Sequence, residues 1–304
     1  MPSPYSVEKV AQFHGHKGPV YDLLPSYRPG HILSCASEGI VAEWNLESEE
    51  ATAVAKSPGP IFSMCLIPER SLLILGLESG DILFSDLQTR KTLRRIQLHK
   101  KAIFNFLPLP DGQTVLASGA DGAFSLWNLD QMDHIHYQVV SPASIRSLLL
   151  HPSGSQILCG SSDNRIRVFD LGLNQQRSWL AHQSSVFRLA FSQDGATLLS
   201  TGRDAHLTSW DVNNNYERLH TVPAHLYTVN DIVLSSENRI AFTGSMDKSI
   251  KMWNITDLKL LNVCSFEKNQ CHRNGINRLL WWEDSLFSTG DDKLIMRWKF
   301  TRKA

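Results

Sequence analysis

One pattern recurs seven times along this chain of 304 residues, and no other feature restricts the fold so tightly. The residues that close each copy are Trp44, Ser85, Trp127, Phe169, Trp210, Trp253 and Trp298, spaced 41, 42, 42, 41, 43 and 45 apart. A unit of about 40–45 residues holds four short strands and cannot bury a core alone, so neighbouring units must stack. That is the repeat length of a propeller blade. The expected fold class is all-β, with seven four-stranded blades. Short apolar segments such as Val115–Ser118 and Thr197–Ser200, bounded by Gly, Pro, Asp and Asn turns, read as the strands.

The unit opens on a His, places an aliphatic residue four positions later, and carries an acid six positions before its Trp. Blade five has His182, Val186, Ser200, Asp204 and Trp210; blade six has His225, Val229, Thr243, Asp247 and Trp253; blade seven has His272, Ile276, Ser288, Asp292 and Trp298. Blade one keeps His16, Val20, Ser34 and Trp44 but substitutes Glu38 for the Asp. Blade three keeps His99, Asp121 and Trp127, with Ser118 one residue nearer the Asp than the pattern expects. Blade two, with Ser57, Ser79 and Ser85, has lost the set, and blade four retains only Asp163 beside Ser141, Cys159 and Phe169.

These residues resemble the WD40-repeat (Trp-Asp repeat) family over essentially the whole chain. The resemblance implies that the His, Ser or Thr, acid and Trp of a blade form a hydrogen-bonded structural tetrad. Buried polar groups without partners cost about 1–3 kcal/mol each, so such a relay has a physical reason to recur. A Ser-His-Asp catalytic triad is the competing reading, but a nucleophilic site is built once and needs an oxyanion hole. Five near-complete copies argue for structure, and no catalytic residue is assigned.

The whole span 1–304 is expected to form a single propeller. Blade seven runs out soon after its third strand, and residues 6–13, which precede the first His, are expected to complete it as an N-terminal outer strand. Lys plus Arg and Asp plus Glu number 30 each, so no global field favours nucleic acid or an acidic membrane. Cys35, Cys65, Cys159, Cys264 and Cys271 have no pairing pattern. Free thiols and the lack of a signal-length apolar run predict a cytoplasmic protein, with the nucleus as the alternative.

In WD40 proteins the top face most often binds partners, through the residue five after the His and the residue before the acid. Carried over by motif, the first set is Tyr21, Phe62, Phe104, Arg146, Phe187, Asn230 and Asn277; the second is Ser37, Glu78, Ala120, Ser162, Arg203, Met246 and Asp291. The arc Tyr21–Phe62–Phe104–Arg146–Phe187, with Arg203, Asn230 and Asn277, is the expected partner-binding surface, since aromatic and Arg anchors dominate interface energetics. Packing of the same rings between blades is the structural alternative.

Other clusters carry less. His134/His136 and His14/His16 lack the further ligands zinc requires, so no metal and no cofactor is expected. The basic run Arg90, Lys91, Arg94, Arg95, Lys100 and Lys101 reads as a charged outer edge, with an acidic partner as the alternative. The expected function is a non-catalytic scaffold or recruiter, a monomer within a complex, that binds a protein or peptide segment on its top face. A reader of modified histone or other peptides, with the aromatics as a cation cage, is one alternative. A ubiquitin-ligase substrate receptor is another, although Trp44-Asn45-Leu46-Glu47 and Trp210-Asp211-Val212-Asn213 lack the Arg that closes the tetrapeptide of such receptors. A hydrolase or lyase at the central channel is the distant third.

Overall fold

The computed structural model describes residues 5–237 and 239–303. Among them it has seven four-stranded antiparallel sheets. Blade one runs outward through Val20–Pro25, His31–Ala36, Ile40–Asn45 and Ala51–Lys56, and blades two to six repeat that order. Each innermost strand packs against the innermost strands of both neighbours, so the seven sheets close into a ring.

The apolar core is divided to match. One buried cluster fills each interface between blades: Leu33 and Val41 of blade one, for example, meet Leu73 and Leu75 of blade two, and Phe124 of blade three meets Phe169 of blade four. No blade is stable by its own two faces; stacking buries both. The tight turn between second and third strands carries a positive φ in every blade. Glycine occupies it in the first three blades, and at Gly122 (φ 77°) a Cβ would lie 2.1 Å from the Ser141 carbonyl oxygen.

Blade seven is composite. Its inner strands are Ile276–Trp282, Ser285–Gly290 and Ile295–Arg302, and its outer strand is Tyr5–Phe13, one residue longer at its start than the sequence suggests. Tyr5 pairs with Arg302 and Phe13 with Ile295 in an antiparallel ladder. Phe13 is fully buried and meets the Trp44 ring edge-on at 5.7 Å, which ties this strand to blade one.

The tetrads form in five blades. In blade five the Trp210 indole N–H donates to Ser200 Oγ at 2.8 Å, Ser200 Oγ lies 2.8 Å from His182 Nε2, and His182 Nδ1 lies 3.0 Å from Asp204. A carboxylate only accepts, so the ring proton sits on Nδ1 and the hydroxyl donates to Nε2. Equivalent chains join Trp44, Ser34, His16 and Glu38; Trp253, Thr243, His225 and Asp247; and Trp298, Ser288, His272 and Asp292. The acids also accept backbone N–H groups, as Asp121 does from Lys100. Burial pushes Asp121 up, but the bonds from His99 and Lys100 outweigh it and hold the carboxyl at about 2.

Three details differ from the sequence reading. In blade three the relay hydroxyl is Ser125, not Ser118: Ser125 Oγ lies 2.7 Å from both His99 Nε2 and Trp127 Nε1, while the buried Ser118 hydroxyl has no partner. Ser125 is the cross-strand neighbour of Ala117, which occupies the usual serine position, so the hydroxyl has moved one strand across. Blade two has a carboxylate after all, Asp81, bound by Arg95 of the outer strand at 3.1 and 3.0 Å. In blade four Asp163 is clasped by the Arg167 guanidinium. In both blades an arginine, rather than a histidine, holds the acid.

Candidate functional site

The mouth of the ring is built by a repeated backbone irregularity. In every blade the register of the innermost strand against the second slips once, between Val20 and Asp22, Ile61 and Ser63, Ile103 and Asn105, Ile145 and Ser147, Val186 and Arg188, Val229 and Asp231, and Ile276 and Arg278. The skipped residues are Tyr21, Phe62, Phe104, Arg146, Phe187, Asn230 and Asn277. A β-bulge re-aims its extra side chain, and here seven bulges aim seven side chains at one place. Together with Arg188 they line a single opening of about 200 Å³.

The lining is ordered by ring contacts between blades. Tyr21 and Phe62 stack at 4.5 Å and 10°, Phe62 meets Phe104 edge-on at 5.9 Å, and the Arg146 guanidinium lies over both Phe104 (4.6 Å) and Phe187 (4.9 Å). All five side chains are half-buried. The interblade packing weighed as an alternative therefore exists, and it coexists with an accessible surface. The two asparagines are committed to neighbours: Asn230 Nδ2 donates to the Ile276 carbonyl at 2.7 Å and Asn277 Nδ2 to the Val20 carbonyl at 3.1 Å. Arg203 stands outside this lining and is exposed, and its charge reaches Arg146. From the second set, Ser162 Oγ accepts from Arg146 Nε at 3.3 Å, and Asp291 accepts from Asn277 at 2.8 Å.

A second ring of residues went unread in the sequence. Six positions after each blade opening come Asp22, Ser63, Asn105, Ser147, Arg188, Asp231 and Arg278, polar in every copy. That sevenfold polarity was the available signal. In the channel Arg278 Nε contacts Asp22 at 2.8 Å and Asp231 at 3.7 Å, and Arg188 Nε contacts Asp231 at 3.2 Å. Arg188 also donates to Asn105 Oδ1 at 2.6 Å, joining blade five to blade three past blade four. Met64 N–H and Leu279 N–H donate to Asp22 and Asp231. Burial pushes both carboxyls up to about 6, partly offset by the Arg188 charge.

The remaining sequence candidates have local partners. His134 pairs with Asp133, His136 approaches Gln138, and His14 approaches Gln12. Within the basic run, Arg94 binds Asp133 and Arg95 binds Asp81, so two of its six charges are neutralised. The five cysteines are buried and free, and Cys264 lies beside Cys271, whose hydrogen bond together with burial pushes the Cys264 thiol up.

The family model for the WD domain, G-beta repeat, matches residues 136–170, 173–211 and 216–254, which include the tetrads of blades five and six. The chain is a seven-bladed propeller that carries WD40 repeats. Similar curated proteins include apoptotic protease-activating factor 1 of Rattus norvegicus, 26% identical over 76% of this chain and 18% of that protein. Transducin beta-like protein 3 of Rattus norvegicus is 34% identical over 52% of the chain and 20% of its own length. The U3 small nucleolar RNA-associated protein 15 homolog of Gallus gallus is 26% identical over 64% and 38% respectively. The WD40 ring thus spans about a fifth to two fifths of the length of these relatives.

Proposed function

We propose that this WD40 propeller is a non-catalytic interaction platform that binds a peptide segment of another protein across the mouth formed by its seven bulges. The observation that carries the reading is the convergence of Tyr21, Phe62, Phe104, Arg146 and Phe187 on one opening. Four aromatic rings and a guanidinium, half-buried and preorganised by mutual stacking, supply area and hydrogen-bonding capacity at low entropic cost. The family and the relatives support a scaffold role. Five free buried thiols fit action in a reducing compartment, the cytoplasm or nucleus.

The cation-cage alternative has less support. The faces of Phe104 and Phe187 are already covered by the protein's own guanidinium, and Tyr21 lies flat against Phe62. The test is affinity capture from native extract, run in parallel on the wild type and on Phe62→Ala/Phe104→Ala. The ring contact itself is worth about 0.5–1.5 kcal/mol beyond the area it buries, and thermal melting of the variant establishes that it is folded. Partners captured by the wild type and missing from the folded variant support the mouth. Identical partner sets would move binding to the rim or the lower face.

A further inference from the structure

We infer that Arg146 is the receptor for a carboxylate, the side chain of an Asp or Glu in the bound peptide. This rests on the mouth being the peptide site.

Arg146 differs from the other desolvated arginines of the ring. Arg188 has Asp231, Arg278 has Asp22 and Arg167 has Asp163. Among the described residues no carboxylate pairs with Arg146, whose only side-chain hydrogen bond is the Nε contact with Ser162. The guanidinium is sandwiched between two phenyl rings, which fix its plane and leave both Nη groups without a protein acceptor. Its surroundings work against its charge: burial, then Arg203, then Arg188 lower its proton affinity. No acid lines the opening. A planar donor fork held rigid, desolvated and uncompensated is matched by a carboxylate, which takes two parallel N–H···O bonds.

The occupant is a singly charged acid within an apolar sequence. Opposite Arg146, burial and then the negative charges of Asp291 and Glu78 push the Tyr21 hydroxyl up, so the mouth has one cationic and one anionic side. Two blades round from Arg146, the top loops of blade six expose Leu226 (84%), Tyr227 (65%) and Met246 (53%). These loops are held together by the Leu226 N–H on Asp247 and the Met246 N–H on the Thr228 carbonyl. An exposed apolar patch beside a charged socket fits a peptide whose acidic residue enters the mouth and whose neighbouring apolar side chains rest on blade six.

The protein is panned against a phage-displayed random dodecapeptide library, and the strongest binder is remade with a fluorescein label for anisotropy. The expected consensus has one invariant Asp or Glu beside apolar residues. Replacing that acid by its amide in the peptide is expected to weaken binding to the wild type about tenfold or more, and to leave the affinity for Arg146→Met unchanged. Because this change is made in the peptide, the result on the wild type does not depend on how the variant folds. A consensus without an acidic position, an equal loss on both proteins, or tighter binding of a phosphoserine version overturns the carboxylate assignment. If such a peptide is still lost on Phe62→Ala, the mouth stands and this inference alone falls. Binding indifferent to both Phe62→Ala and Arg146→Met, or no enrichment at all, overturns the mouth as well.

Discussion

Ser125 shows how a tetrad survives the loss of its usual hydroxyl. Its Oγ serves His99 and Trp127 from the third strand, while Ser118 is buried with nothing to bond. Ser125→Ala leaves two buried nitrogens unpaired and is expected to cost about 1–3 kcal/mol in urea denaturation, whereas Ser118→Ala is near neutral. Adding Ala117→Ser to Ser125→Ala should recover most of the loss, because the two positions are cross-strand neighbours. Asp231 offers a second test at this scale. Its carboxyl titrates near 6 in the folded state and about 3.9 in the unfolded chain, so between those values only the folded state holds the proton. Its contribution to stability therefore grows as pH falls from about 6 toward 4, and is lost as pH rises through 6. Buried His225, lowered by desolvation, acts in the opposite direction within that window, but it is common to wild type and Asp231→Asn and cancels in their difference. The wild type is expected to gain on the variant on acidification from pH 7 to pH 4; a flat difference would mean that Arg188 and Arg278 keep the carboxylate ionised. The tetrads were legible because each role recurs at a fixed offset. The substitutes Ser125, Arg95 and Arg167 were not, because each enters from another strand and chain spacing carries no record of cross-strand proximity.

At the level of the strand, the same irregularity in seven places is what turns a repeat into a site. A regular innermost strand would alternate strictly between its two faces, and positions such as Tyr21 and Phe62 would be buried between blades or turned away from the mouth. The sequence marked these positions by offset from the His, and all seven first-set residues meet at the opening. It could not mark Arg203 as standing outside the lining, nor show that Asn230 and Asn277 commit their amides to the next blade. The outer strand Tyr5–Phe13 makes the sharpest prediction here. Its deletion uncovers the full edge of Ile295–Arg302 and removes Phe13 from the blade-one interface. Burial of a Phe alone is worth about 3–5 kcal/mol, so the deleted protein is expected to melt at least ten degrees lower and to associate in sedimentation analysis. A chain that stays monomeric with an unchanged melting temperature would show that three strands suffice for blade seven.

Across the whole molecule, the channel network links five blades: three of its contacts join neighbouring blades, and the Arg188–Asn105 bond skips blade four. Asn105, Arg188, Asp231, Arg278 and Asp22 connect blades three, five, six, seven and one. Arg188→Met strands Asp231 with a weaker counter-charge and breaks the bond to Asn105 of blade three. It is expected to cost about 3–5 kcal/mol in denaturant titrations. No reading of single repeats could reveal this network, since each repeat donates one residue and the partners lie tens of residues apart.

The pairing of Tyr5–Phe13 with Ile295–Arg302 also sets a schedule for the protein's birth. The outer strand of the last blade leaves the ribosome first, and 281 residues separate Phe13 from its partner Ile295. At about 5–20 residues per second, that strand waits roughly 14–56 s for its mate, while six finished blades form an open arc. Throughout that interval every newly made ring carries both an unpaired strand and a naked blade-one interface, each complementary to the missing half of another nascent chain. Polysomes translating this message are thus where domain-swapped pairs would arise, and slowing translation would raise their yield.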